Sequence, residues 1–415
     1  MFSASVGLSR SWEPFEAGEE IAINTLEKLE GRPNFFLVFP TIHFEKNNGF
    51  SKLLEGIFSQ LNKNTPLLGG TVAGFINPKG CYTRGVTSLA IDDPTIDIAV
   101  GLGHNTKRNP KLAAEEFSKA IKKKPMENQN NILFLIMAGS TISETIFHRK
   151  RYTHNPVISS ILDKIYPLYS YIFQDGLGRE SELLGTLSHN FSEKMIGVSA
   201  WDDNMAFRNY QFFGNKVLKN SIVGLRLHFK YKPIIKYEIP LNIFSEKLKI
   251  TKKDKLNYFI NEINNEKATN VFFNELKIEK KYLTEELLRK ITLYFPISVY
   301  EGNTLLGRVI GLYSDNFLAS MSSIGTNEIY ISTTTGGNIL NSFNKVLQGG
   351  EKANFVLGMS CAAILETLGS NVFEVRKIIE KKGINNFLIL FGGSEYFKTE
   401  TAPISCQESS AVIFF

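Results

Sequence analysis

Cysteine is scarce: Cys81, Cys361 and Cys406 are the only three in 415 residues. They lie far apart and form no CxxC pair, so neither a disulfide framework nor a structural zinc site is expected, and the usage fits a reducing cytoplasm. The six histidines show no HExxH, HxH or Cys/His spacing, so no metal site is expected. Haem leaves no such spacing, because one axial histidine from anywhere is sufficient; with no histidine in a ligand context, no cofactor is expected. Nowhere does an apolar run reach the roughly 18 residues that a membrane helix needs. The opening residues, MFSASVGLSRSWEPFEAGEE, have no basic start, apolar core and cleavage site, so the chain is expected to be soluble and untargeted. A P-loop is missing, as is any Ser or Cys beside a base, and an enzyme is not expected. With 47 basic against 41 acidic residues, the net charge of +6 sets up no single-sign field of the kind that nucleic acid or membrane surfaces attract.

A hydrophobic content of 43% and a charged content of 21% belong to a globular protein. Helical and strand periods alternate along it. Gly18 to Leu29 and SKLLEGIFSQL have apolar residues at helical spacing, while NFFLVFP and RGVTSLAID read as strands. Asn109 and Pro110 are an N-cap and first helical residue for KLAAEEFSKAIKKK, and NILFLIMAG follows as a buried strand. The stretch from Ser140 to Phe173, with HRKRYTH at its basic start, reads as an excursion over the surface. NSIVGLRLHFKY alternates like an antiparallel strand. Between Ser245 and Lys290 lysine, asparagine and glutamate dominate, which predicts solvated helices near the start of a second domain. NEIYIST, NFVLGMSCA, NNFLILFGGSEYF and ESSAVIFF then read as strands, with helices between them. The fold class is α/β, with mixed β-sheets flanked by helices in two associated domains, 1–235 and 236–415.

Three stretches share apolar residues, then glycine, then a hydroxyl residue: LLGGTVAGF at Leu67, MIGVSAWDD at Met195 and LFGGSEYF at Leu390. They are read as equivalent strand-to-loop corners, the places where ligand chemistry collects. At the second corner Trp201, one of only two tryptophans, precedes Asp202 and Asp203. Neighbours on extended chain face opposite ways, so the two aspartates do not form a clamp. Either carboxylate caps the turn that follows or one of them meets a ligand. DGLGRES opens a helix but is an incomplete dinucleotide fingerprint. Cys361 stands in a buried strand, where a thiol is inert.

These stretches together resemble FIST-domain proteins. The carriers are LLGGTVAGF, DGLGRESELLGTL followed by MIGVSAWDD, QFFGNKVLKNSIVGLRL, GMSCAAILETLG, and LFGGSEYF with CQESSAVIFF. The resemblance places a FIST N part from about Phe2 to Leu227 and a FIST C part from about Leu241 onward. It implies an intracellular sensory domain for small ligands such as amino acids, often joined to an output module that is not seen in this sequence. Some members of the family are described as haem-based nitric-oxide sensors, and one relative joins both domains to an F-box. Asp202 and Asp203 fall on the family's Gly-x-x-x-Asp-Asp corner, and Cys361 on the cysteine before a helix. Where the family usually reads Tyr-Gly-Glu and then His-Asn-x-Thr, this chain has Gly393-Ser394-Glu395 and Cys406-Gln407-Glu408-Ser409. The expected pocket lies between the corners. Trp201 is its stacking wall, Asp202 or Asp203 its carboxylate, and Thr71, Ser199, Ser394 and Glu395 its hydrogen-bonding groups, with Cys361 nearby and Arg179 for a ligand carboxylate. The stretch 140–173 is expected to cover or gate it. The expected function is small-ligand sensing without chemistry, passed to a separate output protein; a scaffold, a haem-based gas sensor and an enzyme are the alternatives.

Overall fold

Phe35–Pro40 and Asn131–Ala138 are buried at every position. Each lies in a sheet covered on both faces, which demands an uninterrupted apolar run instead of alternation. The computed structural model describes residues 2–124, 126, 130–141, 178–311, 315–398 and 403–415, with isolated helical positions 157, 160, 161, 164, 165, 168 and 172. HRKRYTH and nearly all of the expected cover at 140–173 lie outside the described residues.

Three six-stranded sheets form the body of the molecule. In strand order, the first holds Ser3–Ser9, Val86–Asp92, Phe35–Pro40, Leu67–Gly70, Gln211–Phe213 and Lys216–Leu218. The second holds Ile404–Cys406, Glu395–Lys398, Lys194–Ala200, Asn131–Ala138, Ser221–His228 and Asp97–His104. Ile234–Glu238, Ser410–Phe414, Val356–Cys361, Phe387–Gly392, Gly74–Asn77 and Gly80–Tyr82 make the third. All three are mixed, and each contains one parallel pair whose strands are separated in sequence by helix: Phe35–Pro40 with Leu67–Gly70, Asn131–Ala138 with Lys194–Ala200, and Val356–Cys361 with Phe387–Gly392. The second strand of every pair runs into one of the three glycine corners.

Side chains that alternate along these strands serve two purposes. Leu37 and Phe39, Phe134 and Ile136, and Leu357 and Leu390 point into one shared core. Their neighbours face helices on the outside. Phe36 and Val38 meet α1 (Pro14–Leu26) and α2 (Gly49–Gln60) through Ile21, Leu53 and Ile57. Leu133 and Leu135 meet the helices Pro110–Lys122 and Glu180–Asn190, and Ile389 and Phe391 meet Gly336–Val346 and Val372–Lys381. The Asn109 side chain accepts from the Leu112 N–H at 3.2 Å, as the capping pattern predicts.

A fourth, antiparallel sheet of nine strands is built within 242–333. Here the structure corrects the expectation of solvated helices between Ser245 and Lys290, because Leu248–Lys253 and Phe259–Ile263 are strands before the helices Ala268–Glu275 and Glu285–Tyr294 begin. The lysines mark the solvent side of a sheet: Leu248 and Ile250 are buried while Lys249 and Thr251 are exposed. Asn264 and Asn265, both with positive φ of 53° and 64°, make the two-residue hairpin turn after Phe259–Ile263.

Each glycine corner carries the chain from sheet to sheet. Leu67–Gly70 of the first sheet continues into Gly74–Asn77 of the third, and Phe387–Gly392 of the third into Glu395–Lys398 of the second. From Lys194–Ala200 of the second sheet the chain passes to Gln211–Phe213 of the first. The second and third sheets thus draw strands from both sides of the boundary at 235/236, which does not divide the sheets into two sets. No helix among the described residues is long and apolar enough to cross a membrane.

Candidate functional site

Backbone hydrogen bonds tie the three corners together. Trp201 N donates to Thr71 O at 2.8 Å, Ala73 N to Phe391 O at 2.9 Å, Ser199 N to Ser394 O at 2.8 Å and Gly393 N to Ser199 O at 3.1 Å. The glycines are what permit this approach: a Cβ on Gly393 would overlap the Trp201 ring.

A cleft opens between this junction and the fourth sheet. Trp201, Gly393, Cys361 and Gln407 form its inner wall, and Thr292, Val309 and Met321 its outer one. The cavity between these walls has a volume of about 50 Å³. That is room for a few waters or a small ligand group. Trp201 presents its ring to the space while its indole N–H donates to Asn204 at 3.0 Å, and Asn204 in turn donates to Ala362 O at 3.2 Å. Gln407 accepts from Val309 N at 2.7 Å and donates to Ser322 at 2.8 Å and Ser394 at 3.1 Å, bridging the cleft wall to the third corner.

Behind the cleft lies a buried acidic layer. The Ser199 hydroxyl meets Glu180 at 2.8 Å and also contacts the Tyr396 hydroxyl; Ser409 donates to Glu395 at 2.8 Å. Burial raises the carboxyl of Glu180 above its ordinary value, and Glu395 goes well above through burial, with the charge of Glu408 adding to it. Burial alone takes Glu408 to about 8. The Cys361 thiol is pushed well up by burial and then by Glu395 and Glu408, so it stays protonated.

Of the residues expected at the site, Trp201 and Cys361 line the cleft, with Ser394 and Glu395 directly behind it. The others are placed elsewhere. The Asp202 carboxylate is taken up by the turn that follows, accepting from the N–H groups of Ala206 at 2.8 Å, Phe207 at 2.7 Å and Arg208 at 3.3 Å. Burial nevertheless holds its acidity weaker than usual, at about 6. Asp203 is exposed on the other side, in a groove with His43 and Arg84. Thr71 accepts from Tyr210 N at 3.1 Å. Arg179 grips Glu182 at 2.6 Å and the Lys107 carbonyl at 3.1 Å and does not line the cleft. Ser199 is spent within the acidic layer. Sequence reasoning did not single out Asn204, Glu180, Gln407 or Glu408; the last two stand in CQESS, whose polar residues in a buried strand region were the available signal. Among the described residues no group of three His, Cys, Asp or Glu is placed to hold a metal ion.

Replacing Asp202 by alanine leaves three N–H groups without their acceptor. We expect a loss of about 3 kcal/mol in unfolding free energy by urea titration. Affinity per folded molecule for any cleft ligand should stay unchanged, and weakened affinity at full stability would return Asp202 to the ligand site.

The FIST N domain family matches residues 34–266, more than half of the chain. The chain belongs to the FIST family. FIST domains are associated with sensing in signal transduction. The FIST N match takes in the first two glycine corners and Trp201, and it extends past Leu227 into the fourth sheet. Cys361, Gln407 and Glu408 lie beyond it. None of the curated proteins matches this chain.

Proposed function

We propose that this FIST-family chain binds a small ligand, an amino acid or related metabolite, in the cleft at the corner junction, and acts as a sensor with no chemistry of its own. The observation that carries the reading is the cleft itself, a largely apolar recess walled by the Trp201 ring where strands of two sheets exchange. In this reading the region after residue 266 plays the FIST C part, adding Cys361 and Gln407 to the wall. The protonated state of Cys361 supports binding over catalysis. No cofactor, nucleic acid or membrane enters the scheme, and the three free cysteines fit a reducing cytoplasm.

A separate output protein would receive the signal. Trp12, 65% exposed, lies under the Arg84 guanidinium at 5.8 Å and beside His43 at 5.3 Å. Tryptophan and arginine are the types that dominate binding hot spots. This surface cluster adjoins the groove that holds Asp203, on the other side of the Trp201–Asn204 turn.

A thermal-shift screen of amino acids and related metabolites tests the proposal, since a specific ligand raises the melting temperature by mass action. Trp201→Ala should weaken the ligand found at least about tenfold, equivalent to 1.4 kcal/mol. Unchanged affinity in that variant would move the site away from the cleft.

A further inference from the structure

Unpartnered carboxyl oxygens are buried in the wall behind the cleft. Among the described residues both carboxylate oxygens of Glu408 and Oε1 of Glu395 have no hydrogen-bond partner, although both residues are 0% exposed. Buried polar groups are almost always satisfied, and an ionised carboxyl without a partner is among the most costly exceptions. The two glutamates are close enough for the charge of Glu408 to act on Glu395, and both act on Cys361. Cys361 also lines the cleft, as does Gln407, the chain neighbour of Glu408. The antiparallel pairing of Glu395 with Cys406 brings the two acidic segments side by side.

Nearby groups do not neutralise them. Arg308, buried alongside, gives its Nη1 to the carbonyls of Gly307 at 3.1 Å and Ser405 at 3.0 Å and its Nη2 to Glu301 at 2.9 Å; its Nε has no hydrogen-bond partner among the described residues and donates to neither glutamate, and its charge is felt by Glu180 and Cys406. The main influences on Glu395 are burial, Ser409, the charge of Glu408 and backbone N–H groups, and on Glu408 burial. Glu180 and Tyr396 stand farther along the layer, joined through Ser199. None of these is a proton donor aimed at the three open oxygens.

We propose that Glu395 and Glu408 receive the protonated nitrogen of a primary amine that enters past Cys361 and Gln407, an assignment that rests on the cleft as the ligand site and adds the chemical class of what it takes. Three open oxygens match the three N–H donors of an alkylammonium, and a carboxyl pair holding one proton carries the single negative charge that such a cation neutralises. The arrangement discriminates against a ligand end that is itself carboxylate or phosphate, whose charge would meet like charge. Because Glu408 holds its proton up to about pH 8, a cation seated there at neutral pH displaces that proton.

The test uses the full chain and four probes at matched ionic strength: n-butylammonium, the uncharged n-butanol, tetramethylammonium, which has no N–H, and potassium. Only n-butylammonium should raise the melting temperature saturably. Its calorimetric heat should vary with buffer ionisation at neutral pH, reporting release of about one proton per site, and less so above the pH at which Glu408 ionises. Glu408→Gln and Glu395→Gln, each shown to be folded by its own melting curve, should weaken n-butylammonium at least about tenfold. An equal rise with n-butanol, potassium or tetramethylammonium overturns the proposal, as does undiminished n-butylammonium binding in both variants. If no amine binds while an uncharged metabolite stabilises the wild type and not Trp201→Ala, the amine assignment fails and the cleft stands; if nothing binds in a manner sensitive to Trp201, both fail.

Discussion

Glu408→Gln should remove much of the fall in stability expected of the native chain as pH rises from 4.5 to about 8, the interval between the ordinary and folded values of this carboxyl. Below that interval the folded and unfolded chains both hold the proton. Within it the unfolded chain gives the proton up while the folded chain keeps it, so unfolding releases a proton and rising pH favours the unfolded state. Above about 8 the folded chain also ionises Glu408 and the slope ends. At 1.36 kcal/mol per pH unit the full effect is about 5 kcal/mol, large against a total stability of about 5 to 15. Glutamine cannot ionise, so the stability of the variant relative to wild type should climb by about this amount across the interval. Urea unfolding at a series of pH values measures both curves. Parallel curves would mean that Glu408 is solvated or paired, and the buried acidic layer would lose its central member.

The second large effect belongs to Gly393→Ala. The added methyl overlaps the six-membered part of the Trp201 indole, and Gly393 cannot retreat freely because its N–H is bonded to Ser199 O at 3.1 Å. Overpacking of this kind costs about 1 to 3 kcal/mol, and we expect the upper end because the strain falls on three linked corners. The ring must swing into the cleft, so ligand affinity should fall by about tenfold or more. Trp201→Ala removes the obstacle. In that background Gly393→Ala should cost little, and the double-mutant cycle should return a coupling of about 2 kcal/mol. Additive losses would show that the methyl clashes with backbone and that Trp201 is a bystander.

Most of the fold was legible, and for identifiable reasons. NILFLIMAG and NNFLILFGG are strands buried on both faces, and an uninterrupted apolar run says so without help from the rest of the chain. The glycine corners were recognisable because close backbone approach leaves little choice of residue. The Lys-rich hairpin was misread because its sheet has one wet face and only two alternating apolar members, Leu248 and Ile250, before Lys252 and Lys253 break the period. At the site, Trp201 and Cys361 could be placed by motif, whereas the role of Asp202 depended on where three N–H groups point, which is a property of the turn and not of the residue. Glu395 and Glu408 become neighbours only through a hairpin whose register sets Glu395 opposite Cys406. Nothing in the local sequence of either glutamate announces the other.

The cyclic passage of the chain among three sheets bears on the order in which a ribosome delivers them. Ile76 pairs with Ile389, and Gly197 with Tyr396, so the third sheet and one edge of the second wait for residues made long after their first strands. Until Phe387–Gly392 and Ser410–Phe414 emerge, Gly74–Asn77 has only the edge strand Gly80–Tyr82 beside it and the inner faces of Leu37, Phe134 and Ile196 lack the third wall of their core. Such long-range closure is slow, and the waiting strands are prone to pair with the wrong chain. A nascent chain of this protein therefore carries apolar strand surface until these last strands are made.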